Sequence, residues 1–271
     1  MSRVIAKRLV NADAQAFPRL GWHRGAADKR YFVGGHHMRF LAFIAITLLS
    51  AVTSANADTY TAELDTLASK SDLNELIMRV NQPRNPEELR LGLEWLRDKS
   101  ISGFGGSRIH YSYAFGLFGA GVRDTSAFAH LLALLTGRVD AARCKDSSAL
   151  GDKLQGWDHN LAQIFNHFLS LGPAQRKEQI SLAVAIEEKH GSRAPDTWLC
   201  SGGLSYMVRF FEKHKNNPNP PAHEIQDPSR LGRTIIVEDP DIKPEFVADE
   251  EWNTRRKQLV AKFVEQLSTA K

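Results

Sequence analysis

Apolar side chains recur every three or four residues along most of the chain, which is the spacing of one buried face of an α-helix. Between residues 60 and 214 this pattern predicts about seven helices, and therefore a compact all-α domain at 58–214. The expected helices cover 60–80, 86–96, 108–121, 125–136, 157–169, 174–189 and 204–211. Asn85 is the expected N-cap of the second, because Pro86 suits the first helical position. Gly137 is expected to end the fourth.

The pattern changes at Lys215. The stretch NNPNPPAHEIQDP cannot continue a helix, because its prolines lack the amide donor. We expect a Pro-rich extended strap at 215–247, in which RTIIVEDP is a lone strand or lies across the domain. The last helix, at 248–271, should dock on the domain rather than await a partner protein. Arg255, Arg256 and Lys257 are interpreted as its solvated face. Its apolar stripe consists of Trp252, Leu259, Phe263 and Leu267.

One apolar stretch departs from the amphipathic pattern. Residues 41–57, LAFIAITLLSAVTSANA, carry no charge and end in the small residues that signal peptidase recognises. We therefore expect residues 1–57 to be a cleaved leader with a secretory signal peptide, whose apolar core is 41–52. A membrane-spanning helix is one alternative, although a span needs about 20 apolar residues. A buried core helix is the other.

The leader also dominates the charge of the chain. Residues 1–37 are rich in Arg and Lys, and we interpret them as a mis-assigned start or a long basic region, with a mitochondrial transit peptide as the alternative. Without residues 1–57, the 35 basic and 31 acidic residues become 27 and 29, a net charge near −2 instead of +4. Such a chain lacks the basic excess typical of nucleic-acid binding. We expect a periplasmic or secreted protein with no nucleic-acid partner and no stable membrane span.

Two cysteines remain in the mature chain, Cys144 and Cys200. In an oxidising compartment, two cysteines of one exported chain most simply pair. Closing a loop of this size would stabilise the fold by about 4 kcal/mol in the chain-entropy description. Two buried free thiols are the alternative. No metal or cofactor is expected, since the paired C-x-x-C spacing of zinc ribbons is absent.

The segment HYSYAFGLFGAGVRDTSAFAHLLALLTGRVDAA, at 110–142, predicts two antiparallel helices with small contact residues. It resembles one Sel1-like or tetratricopeptide-type helical hairpin, but no second copy follows at a fixed period, and solenoids need at least three repeats. Packing of two amphipathic helices is the alternative explanation. The resemblance implies a partner-binding surface on this hairpin. Its expected contact residues are Tyr111, Tyr113, Phe115, Phe118 and His130.

Strong catalytic motifs are absent from the sequence, which has no H-E-x-x-H, G-x-S-x-G, P-loop or dinucleotide-binding glycine motif. In DTWLCSGG, Cys200 or Ser201 precedes a helix and could act as a nucleophile with a histidine as base; a disulfide would remove the thiol. In WDHNLAQIFNH, Asp158 could position His159 as a general base, although a solvated helix face explains the same residues. The run GFGGS at 103–107 is interpreted as a loop.

These observations favour a non-enzymatic protein-binding domain of the bacterial cell envelope, which presents a groove or face to another protein. In a sharper form, it is an immunity or inhibitor protein that neutralises a toxic secreted enzyme. The rival class is a small exported hydrolase that uses Cys200 or Ser201 with a histidine, or His159 with Asp158. A third class is a structural or assembly factor of an envelope complex, with the last helix as its docking element.

Overall fold

The computed structural model describes residues 59–70, 73–149, 161–217, 239 and 241–270, together with the backbone of 222–226 and 233–237. The predicted leader at 1–57 lies outside these residues, as do Asp158 and His159. No helix in the described part of the chain is long and apolar enough to cross a membrane.

The described chain is a compact helical domain, as predicted, with one two-stranded ladder. The predicted helix at 60–80 is two helices, α1 and α2. The helices are α1 (59–69), α2 (Leu73–Asn81), α3 (Pro86–Ser102), α4 (Gly106–Gly119), α5 (Arg123–Ala141), α6 (Ala162–Ser170), α7 (Pro173–Lys189), α8 (Thr197–Cys200), α9 (Leu204–His214) and α10 (Asp249–Thr269). A 3-10 turn covers Ser147–Ala149.

Local sequence signals set both ends of α3. The side chain of Asn85 accepts a hydrogen bond from the backbone N–H of Glu88 at 2.9 Å, and Pro86 opens the helix. Both predictions are confirmed. At the other end, Gly103 takes a left-handed conformation with φ of 77°, and its N–H bonds the last turn of the helix. This conformation favours glycine, because it has no Cβ to clash.

The central helix of the domain is α5, which contacts α4, α6, α7 and α10. The prediction that Gly137 ends this helix is wrong, because α5 continues to Ala141. Leu135 and Val139, on either side of Gly137, are buried in the core. Their burial outweighs the low helix propensity of one glycine, which costs about 1 kcal/mol.

The strap contains the predicted strand and a partner for it. Strands β1 (Ala222–Gln226) and β2 (Arg233–Val237) pair in antiparallel register, with Ala222 opposite Val237. The chain then returns to the domain, where Phe246 forms an isolated bridge with Cys144. Two backbone hydrogen bonds fix this contact, Lys145 N–H to Glu245 O at 3.0 Å and Val247 N–H to Arg143 O at 2.9 Å. The strap therefore ends beside the last turn of α5.

The C-terminal helix α10 is docked on the core, as predicted. Trp252, Phe263 and Leu267 are buried, and Leu259 is half-buried. The indole N–H of Trp252 donates to the carbonyl of Val139 at 3.1 Å, which ties α10 to α5. One detail of the predicted solvated face is wrong. Arg256 donates to the backbone carbonyl of Glu187 at 2.8 Å, because α10 lies against α7 at this point.

Candidate functional site

The two cysteines form the predicted disulfide. Their sulfur atoms are 2.01 Å apart and their Cα atoms 5.1 Å apart. Cys200 ends α8, a single turn whose N-terminus is capped by the carboxylate of Asp196, which accepts from the N–H of Trp198 at 2.9 Å. The disulfide thus joins the segment after α5 to the segment after α7. It also means that the Cys200 thiol is not free to act as a nucleophile.

The second candidate nucleophile of the sequence is Ser201, which follows α8. The hydroxyl of Ser201 donates to the carbonyl of Trp198 at 2.9 Å, as a residue that ends a short helix commonly does. Asp158 and His159 lie outside the described residues. Within the described ranges, no group of three or more His, Cys, Asp or Glu side chains could hold a metal ion.

The five predicted partner-binding residues differ in their exposure to solvent. Tyr111, Tyr113 and His130 are 1%, 3% and 2% exposed, so the prediction of a surface role for these three is wrong. The reason is that α4 packs on α3 on one side and on α5 on the other, which leaves little of the hairpin on the surface. Phe115 is 50% exposed. Phe118 is half-buried, with the guanidinium of Arg123 3.6 Å from its ring centroid.

Phe115 borders an apolar groove. The groove has a volume of about 160 Å³ and lies between α3, α4 and the end of α2. Gly116 brings α3 and α4 close together, since a Cβ at this position would lie 2.8 Å from Cδ2 of Leu93. We call this concavity the Phe115 groove. Its lining residues are Val80, Asn81, Pro83, Leu89, Leu93, Leu96, Phe115, Gly116 and Gly119.

The sequence interpretation missed a polar cavity of about 340 Å³ on the glycine-rich run at 103–106. Gly106, with φ of 54°, passes so close to Asp140 that a Cβ would lie 3.4 Å from its Oδ2. Asp140 accepts from Nε of Arg193 at 2.8 Å, and Arg193 also contacts Glu187 at 2.9 Å. Asp196 faces the cavity as well, 3.9 Å from the guanidinium of Arg108.

The electrostatics of this cavity follow from burial and pairing. Burial raises the pKa of Asp140 to about 6, although Arg193 favours its charged form. Burial disfavours the charge of Arg193 too, but two carboxylates contact it and keep its pKa above the ordinary value. Asp140 is thus ionised and paired at neutral pH, and Asp196 caps α8. We assign these charges to holding the segment between α7 and α8 against α5.

No sequence motif marks the polar cavity, since Asp140 and Arg193 are 53 residues apart and resemble ordinary surface charges. The glycine-rich run was the one local signal, because several glycines close together favour left-handed backbone. No family model, curated protein or solved structure matches this chain. Any function must therefore be argued from these surfaces and cavities themselves.

Proposed function

We propose that this chain is an exported, non-enzymatic protein-binding domain of a bacterial cell envelope, which holds one aromatic side chain of a partner protein in the Phe115 groove. The observation that carries the proposal is an exposed phenylalanine beside a concave apolar surface. Phe115 is 50% exposed, whereas most large apolar residues of the domain are buried. An aromatic side chain at the edge of an apolar concavity can pack against an anchor residue of a partner protein.

The size of the groove favours a side chain rather than a free ligand. Small-molecule sites commonly enclose about 300–1,000 Å³, and the groove encloses about 160 Å³. An apolar cavity of roughly 150 Å³ accommodates benzene, so one phenyl ring fits. Aromatic anchors that fill such pockets supply much of the energy of protein interfaces.

One further feature supports export. The Cys144–Cys200 pair is suited to an oxidising compartment, where disulfides persist. In the sharper form of the proposal, the partner is a toxic secreted enzyme and this chain is its immunity or inhibitor protein. That form rests on the size of the mature domain and its expected export.

The test begins with identification of a partner from envelope extract, followed by measurement of its affinity for purified variants. Phe115→Ser should weaken binding by more than 2 kcal/mol, roughly thirtyfold, if Phe115 and the guest ring form the centre of the interface. The matched control is Phe211→Ser, because Phe211 is also exposed, at 58%, and lies on α9 outside the groove.

The comparison of the two variants decides the proposal. Loss of affinity with Phe115→Ser and retention with Phe211→Ser would support the groove as the binding site. Equal affinities for both variants and the unaltered protein would overturn it. If all aromatic residues of a partner fragment can be replaced by alanine without loss of affinity, the groove does not hold an aromatic side chain of the partner.

A further inference from the structure

The polar cavity on the glycine-rich run contains two carboxylates of which the fold uses only one oxygen each. Oδ1 of Asp140 accepts from Nε of Arg193 at 2.8 Å. Oδ1 of Asp196 accepts from the N–H groups of Trp198 at 2.9 Å and Leu199 at 3.3 Å. Within the part of the chain that the structure describes, neither Oδ2 atom receives a hydrogen bond. Buried carboxylate oxygens normally have donors, so these two require an explanation.

The two Oδ2 atoms converge on the first residue of α4. A Cβ at Gly106 would lie 3.4 Å from Oδ2 of Asp140 and 4.0 Å from Oδ2 of Asp196. All three residues line the cavity of about 340 Å³, a volume at the lower end of the range of small-molecule sites. Because Gly106 has no side chain, a ligand group can approach both oxygens at this point.

A positive group lies beside this pair of oxygens. The guanidinium of Arg108, which also lines the cavity, is 3.9 Å from Oδ1 of Asp196. It lies over the ring of Trp198, 4.6 Å from the centroid, and this contact helps to fix its position. A guanidinium has five N–H donors and suits the geometry of a carboxylate. The cavity therefore presents a negative and a positive group side by side.

This arrangement narrows the class of ligand. A simple cation would approach the guanidinium of Arg108, and a simple anion would approach two carboxylates. A metal ion lacks ligands, since the described ranges contain no group of three or more His, Cys, Asp or Glu side chains that could hold one. A zwitterion matches both signs, and an α-amino acid carries its ammonium and carboxylate on one carbon. Burial raises the pKa of Asp140 to about 6, so Arg193 compensates its charge only in part.

The remaining wall of the cavity is apolar. Leu73 and Phe104 line it, and Cδ1 of Leu73 lies 3.5 Å from the position that a Cβ would take at Gly105. Ala194 and Pro195 add further apolar surface. This wall suits an apolar side chain of the ligand better than a polar one, because it offers no hydrogen-bond partner from its side chains.

We propose that the polar cavity binds a free α-amino acid with an apolar side chain. Its ammonium donates to Oδ2 of Asp140 and of Asp196, and its carboxylate pairs with Arg108. Its side chain lies against Leu73 and Phe104. Aromatic and aliphatic amino acids share this chemistry, and the test distinguishes them.

The test is calorimetric titration of the purified full chain at pH 7.5 with L-phenylalanine and with L-leucine. The amino acid that binds more tightly identifies the aromatic or the aliphatic source. The proposal does not depend on the Phe115 groove, because no residue lines both concavities. Binding of neither amino acid would overturn it.

Analogues that lack one charge test the zwitterion. For L-phenylalanine they are 2-phenylethylamine and 3-phenylpropanoate, and for L-leucine they are 3-methylbutylamine and 4-methylpentanoate. Each should bind at least tenfold more weakly than its parent, because one charged group of the site loses its partner. An analogue that binds as tightly as its parent would overturn the zwitterion.

A methyl group at Gly106 tests the position of the ammonium. Gly106→Ala fills the space beside both Oδ2 atoms and should weaken binding at least tenfold. Gly121→Ala is the matched control. It imposes the same strain, since φ is 81° at Gly121 and 54° at Gly106, but no described atom lies within 4 Å of a Cβ there. Gly121 does not line the cavity, so this variant should bind normally.

A second variant removes charge and keeps the fold. Asp196→Asn retains an N-cap for α8, because asparagine caps helices as well as aspartate does. It should weaken binding about tenfold. Asp98→Asn is its control, since Asp98 is exposed and lies outside the cavity. Full affinity in both Gly106→Ala and Asp196→Asn would overturn the site.

Two further readouts distinguish ligand contacts from structural roles. The ammonium should lower the pKa of Asp140 from about 6, because a nearby positive charge favours the carboxylate, and the side-chain ¹³C signal reports this titration. An unchanged titration at saturating amino acid would overturn the contact with Asp140. Arg108→Gln should remove the preference for the amino acid over the amine. A preference that survives would overturn the contact between Arg108 and the carboxylate.

Discussion

Asp140 and His130 lie on the same helix, and both are buried, yet the fold treats them in opposite ways. Asp140 has a charged partner in Arg193 and is 1% exposed. His130 is 2% exposed and has no hydrogen-bond partner among the residues that the structure describes. The Asp140 end of α5 is also joined to the rest of the chain by the disulfide and by the Trp252 hydrogen bond. The His130 side borders a mostly apolar cavity between α5, α6 and α10.

The contrast separates a polar group that organises the fold from one that weakens it. A buried charge is tolerated when it is paired and hydrogen-bonded, and Arg193 does this for Asp140 and Glu187 together. The His130 imidazole carries its desolvation cost with no compensating hydrogen bond from the described part of the domain. Local violations of this kind are expected at functional sites. The difference between the two regions can be measured as stability.

The largest effect is expected from removal of Arg193. Arg193→Met leaves the carboxylates of Asp140 and Glu187 without this cation and should lower the free energy of unfolding by about 3–5 kcal/mol. Urea denaturation measures it. Arg209→Met is the control, because Arg209 forms a more exposed ion pair with Glu245 and should cost about 0–1 kcal/mol. Similar losses in both variants would mean that the Arg193 network does not hold α5.

The next effect is loss of the disulfide. Cys144→Ala should lower the free energy of unfolding by about 2–5 kcal/mol in oxidising buffer, because the unfolded chain regains the entropy of an open loop. The double variant with Cys200→Ala should be about as stable as either single variant. If the single variants melt at the same temperature as the unaltered protein under oxidising conditions, the crosslink does not contribute to stability.

Acid should weaken the His130 side of α5. The pKa of His130 is lowered to about 4 in the fold, against about 6.5 unfolded, so the unfolded chain binds the proton first. The lowered pKa therefore makes the free energy of unfolding depend on pH. Its contribution is complete above pH 6.5 and is lost as the pH falls toward 4, by about 3 kcal/mol at most. Urea titrations across this range should show a smaller slope in His130→Leu. The buried His110 titrates lower, near 3, and leaves a residual slope.

The smallest effect is a gain. At pH 7.5, His130→Leu should raise the free energy of unfolding by about 1 kcal/mol, because an unpaired polar ring is replaced by an apolar side chain. Replacement of a hydrogen-bonded polar residue by leucine would instead lower the free energy of unfolding. Chemical denaturation at fixed pH distinguishes a gain from a loss. A loss of stability would contradict the unpaired state of His130 and remove the contrast with Asp140.

Sequence reasoning succeeded where a structural feature depends on neighbouring residues. The start of α3 follows from Asn85 and Pro86, and the docking of α10 follows from a regular stripe that includes Trp252 and Phe263. These signals need no knowledge of the rest of the fold. The end of α5 was missed, because the packing of distant helices around Gly137 overrides its local tendency to stop a helix.

The sites were harder to predict, for the same reason. Phe115 is exposed, whereas Tyr111 and His130, which resembled it in the pattern, are buried. Which face of α4 remains open depends on how α3 and α5 flank it. The Asp140–Arg193 pair joins positions 53 residues apart, and no periodicity relates them. Arg256 likewise resembles a surface charge in the sequence, because its contact with Glu187 depends on the packing of α7 against α10.

The disulfide also decides how the protein would respond to mechanical force. A pull on the two chain ends would travel through the crosslink and leave residues 145–199, with α6 and α7, out of the load path. The strap and α10 lie on the loaded side, between the crosslink and the C-terminal end of the chain. Reduction would release the shielded segment, which spans the 56-residue separation between the two cysteines and adds roughly 190 Å of extension at about 3.4 Å per residue.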